Sequence, residues 1–401
     1  MRIQYGKATG EDYDELIDLG NYVFSAARVP HDFPRLLPKL YKREYFMEGA
    51  HYLAREDGRI KAIVGSYPLT MNILGEALPG RGIGMVSVHP YTRSRGYMRA
   101  LMEMALEDMR REGAVFSCLG GQRQRYEYFG YVPTGLRVNF FCRRANIRHF
   151  LGRMQASKPE GGKLSLRELG ADDRELLDRI SALHQAKAAR IERPRGKFFD
   201  ILNSWNSRIY AVLAEGEFLG YLICNPSGGE IGELNLNDPS QLAIRLPELI
   251  GAYLDLQGGK GERDQVEIGV QPQEREKLDA FSRFAEDYTI TTAYSFRIFD
   301  YSRLLPPLLA LKARNETLPE GSAVLRIAGE GDLRVSSAGG AVSVERLGEN
   351  RGPADIELEN REAAELLFSA LSPLSSPKLR GNPFLRGIIP LPLFFEGPDG
   401  V

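Results

Sequence analysis

Read for the alternation of apolar and polar positions, the chain opens as strand, helix, helix, hairpin. "RIQYGKAT" alternates as a short strand, and Thr9 with Asp12 three residues on caps the helix of "GEDYDELIDLGNYVF". "AHYLAREDGRIKAIVGSYPLTMNI" forms two apolar runs around Glu56-Asp57-Gly58, a strong hairpin signal. "RGIGMVSVHP" is a further strand. From Met98 the apolar residues fall at Leu101, Met102, Ala105, Leu106 and Met109, the stripe of a core-facing helix. Gly113 ends that helix and "AVFSCLG" begins another strand.

The pattern then returns. Residues 164–190 repeat the order of 3–28, and "RIYAVLAEGEFLGYLIC" at 208–224 repeats the first hairpin, which reads as a duplicated α/β unit. The second copy has no arginine or glycine ahead of its helix; Asp238, Pro239 and Ser240 cap it instead, so an anion would meet an acidic entrance. The segment between copies, "CRRANIRHFLGRMQASKPEGGK", reads as a short amphipathic helix and a Pro/Gly linker. From about residue 294 the character changes: "GSAVLRIA", "GDLRVSSAGGAVSVERL" and "ADIELEN" alternate as half-buried strands, and "NREAAELLFSALS" is an amphipathic helix, an α+β pattern. The tail "GNPFLRGIIPLPLFFEGPDGV" is apolar and Pro-rich where a disordered end would be polar, so burial is expected. The expected domains are 1–150, 151–293 and 294–401.

Composition narrows the function. Over 401 residues, 52 Lys and Arg stand against 53 Asp and Glu, a net charge of −1 that gives no global field for nucleic acid. Cys118, Cys142 and Cys224 form neither a disulfide framework nor a zinc pattern, and no metal is expected. The start is not a signal peptide, and "LLPPLLAL" at 304–311 is too short to span a membrane. A cytoplasmic protein with neither membrane nor nucleic-acid partner is the expectation.

The candidate chemistry sits at "VSVHPYTRSRGYMRALM", residues 86–102, where a strand meets a helix start. Free N–H groups and the helix dipole favour an anion there. Gly96 permits close approach, and Arg93, Arg95 and Arg99 add positive charge. A diphosphate matches this geometry; an arginine-rich surface turn is the plainer reading. Neither the dinucleotide glycine pattern nor a P-loop is present.

This stretch resembles motif A of the GCN5-related N-acetyltransferases (GNAT), through Arg93, Gly96 and Met98, the last in place of the usual small residue. "RYEYFGYVPTG" resembles a second segment of that family through Tyr126, Phe129, Gly130 and Tyr131. The duplicated units, the α+β end and the length are similar to Eis-like (enhanced intracellular survival) acetyltransferases. The resemblance implies an acetyl-CoA-binding GNAT domain over 1–150, a degenerate copy over 151–293, and a sterol-carrier-protein-like (SCP2-like) domain over 294–401 whose tail enters the active site. It implies acetyl-CoA contacts at Val86, Ser87, Val88, Arg93, Ser94, Arg95, Gly96, Tyr97 and Met98. Tyr126 becomes the general acid, with Tyr128 as fallback, since a phenol with pKa about 10 can protonate a departing thiolate. The Val401 carboxylate becomes the base, with Asp399 and Glu396 able to share that part. His89 is read as structural. The acceptor would be a primary amine, on an aminoglycoside-like molecule or a protein lysine, with His31 and Asp32 as substrate contacts and Glu44 as a further candidate acid. A homo-oligomer, hexameric by resemblance, is expected. The alternative function is a non-catalytic protein that binds acetyl-CoA or lipid.

Overall fold

A computed structural model describes residues 2–27, 29–154, 162–258, 264–348 and 352–401. The chain divides into two compact units. The first holds 1–135, 292–393 and 400–401; the second holds 136–291 and 394–399.

In the first unit, β1 (Ile3–Lys7), β2 (His51–Glu56), β3 (Arg59–Ile73), β4 (Glu76–Val88) and β5 (Phe116–Leu119) lie side by side. The strand Tyr294–Ile298 follows, and β6 (Val132–Thr134) closes the row. The two-residue loop Asp57-Gly58, both at positive φ, joins β2 to β3 as the hairpin signal required. A second tight turn, Leu74-Gly75, makes β3 and β4 one long hairpin, which the sequence pattern did not reveal. Helix α1 (Tyr13–Ala27) follows a turn in which the Thr9 N–H donates to Asp12 at 2.9 Å. The short helices α2 (Phe33–Leu36) and α3 (Pro38–Tyr41) pack with α1 in one apolar cluster. Helix α4 (Tyr97–Arg111) packs in another cluster through Leu101, Met102, Ala105, Leu106 and Met109. Each of the buried Leu and Met side chains contributes about 1.5–3 kcal/mol. Tyr97, not Met98, completes the buried face.

The same unit contains a four-stranded sheet in the order 341–348, 331–338, 321–327, 356–358. Its helix Asn360–Phe368 packs on β6 and on Tyr294–Ile298. That packing explains why residues expected to form a third domain cluster with the first sheet. The helix is opened by Glu359, whose N–H donates to Glu362 at 3.1 Å.

The second unit is built on a sheet ordered 287–291, 137–143, 265–270, 230–236, 217–224, 208–214, 164–168. Its hairpin Arg208–Cys224 turns at Glu215-Gly216, again at positive φ, and Asp238 caps the next turn by accepting from Ser240 N–H at 3.0 Å. The strand Arg137–Arg143, expected within 1–150, pairs here with 265–270 and 287–291. Tyr294–Ile298, expected to begin the third domain, pairs instead with β5 and β6 of the first unit. The interunit helix is present at Arg144–Arg153; the linker at 155–161 lies outside the described residues. Among the described residues no helix is long and apolar enough to cross a membrane.

Candidate active site

The site begins with a strand that loses its neighbour. β4 follows β3 along its length, except between Ile63 and Gly65, where the register slips and Met85 takes φ +49°. β5 runs parallel to β4 only from Gly80↔Phe116 to Gly82↔Cys118. Beyond Gly82 the two strands part, and Val86, Ser87 and Val88 continue without β5 alongside. The β4 edge there lacks the strand partner that β5 gives it at Gly80–Gly82. Ser87 is fully buried and its hydroxyl has no hydrogen-bond partner among the described residues. An orphan of this kind fits a cleft that an extended pantetheine arm would fill.

Beyond Val88 the chain turns through His89–Thr92 to the basic segment. Ser94 has φ +65°, Gly96 has φ +81°, and α4 starts at Tyr97 without a side-chain cap. Ala100 N–H is the first to bond back, to Gly96 O at 3.0 Å, so the helix presents its first N–H groups outward. A Cβ on Gly96 would meet open space, so the glycine serves the left-handed backbone itself. The Arg95 side chain pairs with Glu56 at 2.7 Å. The buried Tyr97 hydroxyl donates to the same carboxylate and, with Arg95, holds it below the ordinary carboxylate range. Arg95 and Tyr97 therefore brace the turn by their side chains. The exposed Arg93, and Arg99 whose partner is Glu103 at 3.6 Å, are the cations beside the helix opening. Met98 packs half-buried behind it.

Tyr126 ends the short helix α5 (Arg123–Tyr126). Its ring lies against Gly121, where a Cβ would come within 2.5 Å, and edge-on to Tyr131 at 6.5 Å. Burial raises its pKa above the ordinary tyrosine value, so the hydroxyl stays protonated at neutral pH. Tyr128, the fallback, is 81% exposed. Tyr131 is spent on Ser117, at 2.7 Å.

Val401 lies where the strands part. A Cβ on Gly82 would stand 2.8 Å from its Cγ2, and one on Gly84 3.3 Å from its carbonyl carbon. Tyr294 accepts backbone hydrogen bonds from Val401 and from Gly120, just past β5. Sequence reasoning missed Gly82, Gly84 and Tyr294; the alternation of glycines at 80, 82 and 84 was the available signal. It also missed the buried trio Tyr41, Tyr67 and His51. Tyr67 Oη is 2.8 Å from Tyr41 Oη and 2.7 Å from His51 Nε2.

Asp399 and Glu396 cannot share a role with Val401 as expected, because both are consumed within the second unit. Arg193 donates to both Asp399 oxygens at 2.8 and 2.9 Å, and to Glu233 at 2.8 Å. Lys187 bridges Glu233 and Glu396 at 2.9 and 2.5 Å. Burial disfavours the Glu233 carboxylate, but Arg193 and Lys187 outweigh it and hold the group well below its usual range. His184, Glu233 and Glu396 offer ligand atoms within 4.8 Å of one another. The ammonium and guanidinium already supply the positive charge there.

His31 and Asp32 serve their own turn. His31 Nδ1 lies 2.9 Å from Val29 O, and Asp32 caps α2 by accepting from Arg35 N–H at 3.3 Å. Glu44 is exposed in the turn Arg43–Tyr45. His89 caps Pro90–Thr92, and burial lowers its pKa.

This sequence of parted strand, basic turn and uncapped helix lies within a span that a family model recognises. Residues 4–134 match the acetyltransferase (GNAT) domain. The matched domain is an acyltransferase domain, and acetyl-CoA is the cosubstrate of its family. No curated protein sequence matches the chain. Solved structures share the fold. A GCN5-related N-acetyltransferase from Kribbella flavida superposes with a TM-score of 0.63 at 20% identity, covering 100% of this chain and 98% of its own. Eis1 from Mycobacterium abscessus gives 0.62 at 14% identity, covering 100% of both chains. A probable N-acyltransferase from Enterococcus faecalis V583 gives 0.61 at 17%, covering 92% of this chain and 90% of that one. The acetyltransferase domain thus takes its sixth strand position from Tyr294–Ile298, outside the matched span.

Proposed function

We propose that the protein moves the acetyl group of acetyl-CoA to a primary amine, in an aminoglycoside-like molecule or a protein lysine. The observation that carries this reading is the parting of β4 from β5 beyond Gly82, next to the uncapped start of α4. The diphosphate would rest on the turn 93–98, with Arg93 and Arg99 nearby, and the thioester arm along Val86–Val88. The neutral amine attacks the thioester carbonyl, a C–N bond forms, and the C–S bond breaks. Tyr126 then gives its hydroxyl proton to the departing sulfur. A carboxylate carried by Val401 would stand at the acceptor side and attract the cationic amine before accepting its proton.

Three further readings belong to the same proposal. The second unit is a degenerate copy: its strands 230–236 and 265–270 pair in parallel only at Glu230 and Ile231, and Glu233 just beyond enters the buried ionic cluster. The four-stranded sheet at 321–358 with its helix is SCP2-like. The assembly is a homo-oligomer, a hexamer on the resemblance, which light scattering on the purified protein would test.

The decisive experiment pairs calorimetry with a CoA-release assay over an amine panel that includes kanamycin-like compounds and lysine peptides. CoA binding with amine-dependent release supports the proposal. Binding with no release on any amine would favour the non-catalytic sensor, and no binding would end both.

A further inference from the structure

The trio Tyr41, Tyr67 and His51 is 1%, 2% and 0% exposed, yet it places two hydroxyls and an imidazole in an otherwise apolar cluster. Burial of such groups is unfavourable unless each finds a partner. Phenylalanine and leucine would fill the same space without that cost. The surroundings fix the trio closely. Phe46 stacks on the His51 ring at 5.4 Å, and Tyr13 Oη donates to the Tyr41 carbonyl at 2.6 Å. A Cβ on Gly65 would come within 2.6 Å of Tyr67 Oη.

Counting protons gives the chain a direction. Tyr67 has one hydroxyl proton and two polar neighbours, so it donates to one and accepts from the other. Among the described residues His51 Nδ1 has no hydrogen-bond partner. Orphaned buried N–H groups are rarer than orphaned acceptors. The orphan is therefore the bare lone pair, and the imidazole proton sits on Nε2. His51 then donates to Tyr67, Tyr67 donates to Tyr41, and the Tyr41 proton remains for a group beyond the trio. Tyr41 Oη and the Val401 carbonyl carbon border one space over Gly84, 3.5 and 3.3 Å from where a Cβ would stand. The sealed imidazole has no onward partner, so the chain orients and does not carry protons away.

We propose that His51, Tyr67 and Tyr41 form a one-way hydrogen-bond chain that turns the Tyr41 hydroxyl proton toward the space over Gly84 that the carbonyl end of Val401 also borders, making them positioning residues for the acceptor side. This rests on the acetyl-transfer reading only for its kinetic consequence. The test uses the full-length protein. Nitrogen NMR of wild-type His51 should show a neutral ring protonated at Nε2 from pH 6 to 8, and Tyr67→Phe should shift that signal. Tyr67→Phe, Tyr41→Phe and His51→Leu should each lower kcat about tenfold, the scale of one hydrogen bond, with the calorimetric Kd for CoA unchanged. His51→Gln, which keeps an N–H near the Nε2 position, should restore kcat to within about twofold of wild type on that same scale. An Nδ1-protonated ring, or His51→Gln as impaired as His51→Leu, overturns the chain. Because the tautomer is read without turnover, a protein that acetylates no amine still decides it.

Discussion

Replacing Gly82 with alanine tests the seating of Val401 directly. The added Cβ would stand 2.8 Å and 3.0 Å from the Val401 methyls and 3.4 Å from Leu69 Cδ2. Carbon atoms settle at about 3.5–4.0 Å, so one partner must retreat by roughly 0.5–1 Å. β4 cannot be that partner. It is paired at this residue on both sides, with Tyr67 and with Cys118. Val401 moves instead. Overpacking of this kind costs about 1–3 kcal/mol, and withdrawal of Val401 would cap the loss near the lower figure by exchanging strain for a little lost burial. The expectation is a stability loss of about 1–2 kcal/mol in urea unfolding, an unchanged Kd for CoA, and a kcat at least tenfold lower in the CoA-release assay. Val401→Gly in the same chain removes the clashing methyls and should return about 1 kcal/mol as a coupling energy. Wild-type kcat in Gly82→Ala, or strictly additive stabilities in the double mutant, would refute the seating.

Four other outcomes are expected. Gly96→Ala meets no atom but forces a side chain onto φ +81°, so it should cost about 1–2 kcal/mol and weaken CoA binding measured by calorimetry; unchanged affinity would disconnect the turn from the cofactor. Tyr126→Phe should lower kcat about 100-fold. Because burial holds the phenol above its ordinary pKa, the wild-type rate should fall only as pH rises past about 10, and a decline below that would remove Tyr126 as the acid. Burial lowers His51 to about pKa 4, whereas the unfolded chain takes up a proton near 6.5. Stability should therefore drop as pH falls through that window, by about 2 kcal/mol between pH 7 and 5, and His51→Gln should flatten the slope. Arg193→Met leaves Asp399 and Glu233 short of their buried partner and should destabilise by about 3–5 kcal/mol; a loss under about 1 kcal/mol would show the cluster reorganises freely.

The parts of the fold written in local chemistry were legible. Asp57-Gly58, Thr9 with Asp12, Asp238 and the stripe from Leu101 to Met109 each act within a few residues, and each is where the pattern put it. Gly96 at the mouth of α4 belongs with them. What depends on distant partners was hidden. Which sheet receives the strands 137–143 and 294–298 is decided by partners far along the chain, which no local pattern names. The Arg95 side chain belongs to Glu56 because β2 ends beside the turn, a placement no spacing reveals. Tyr41, His51 and Tyr67 lie in separate apolar runs and read as core until their polar ends meet. Asp399 and Glu396 looked close to Val401 in sequence, yet burial with Arg193 and Lys187 claims them first.

The insertion of Tyr294–Ile298 between β5 and β6 bears on how this protein is made. A ribosome that has released residues 1–135 has supplied the whole span that matches the acetyltransferase (GNAT) domain but not the strand that zips its last two edges together. Those edges wait, unsatisfied, until the intervening unit has been synthesised. Excising 4–134 on the strength of its motifs would yield a sheet with a missing rung, open to pairing with any neighbouring chain. The cut that keeps the sheet whole has to run past Ile298.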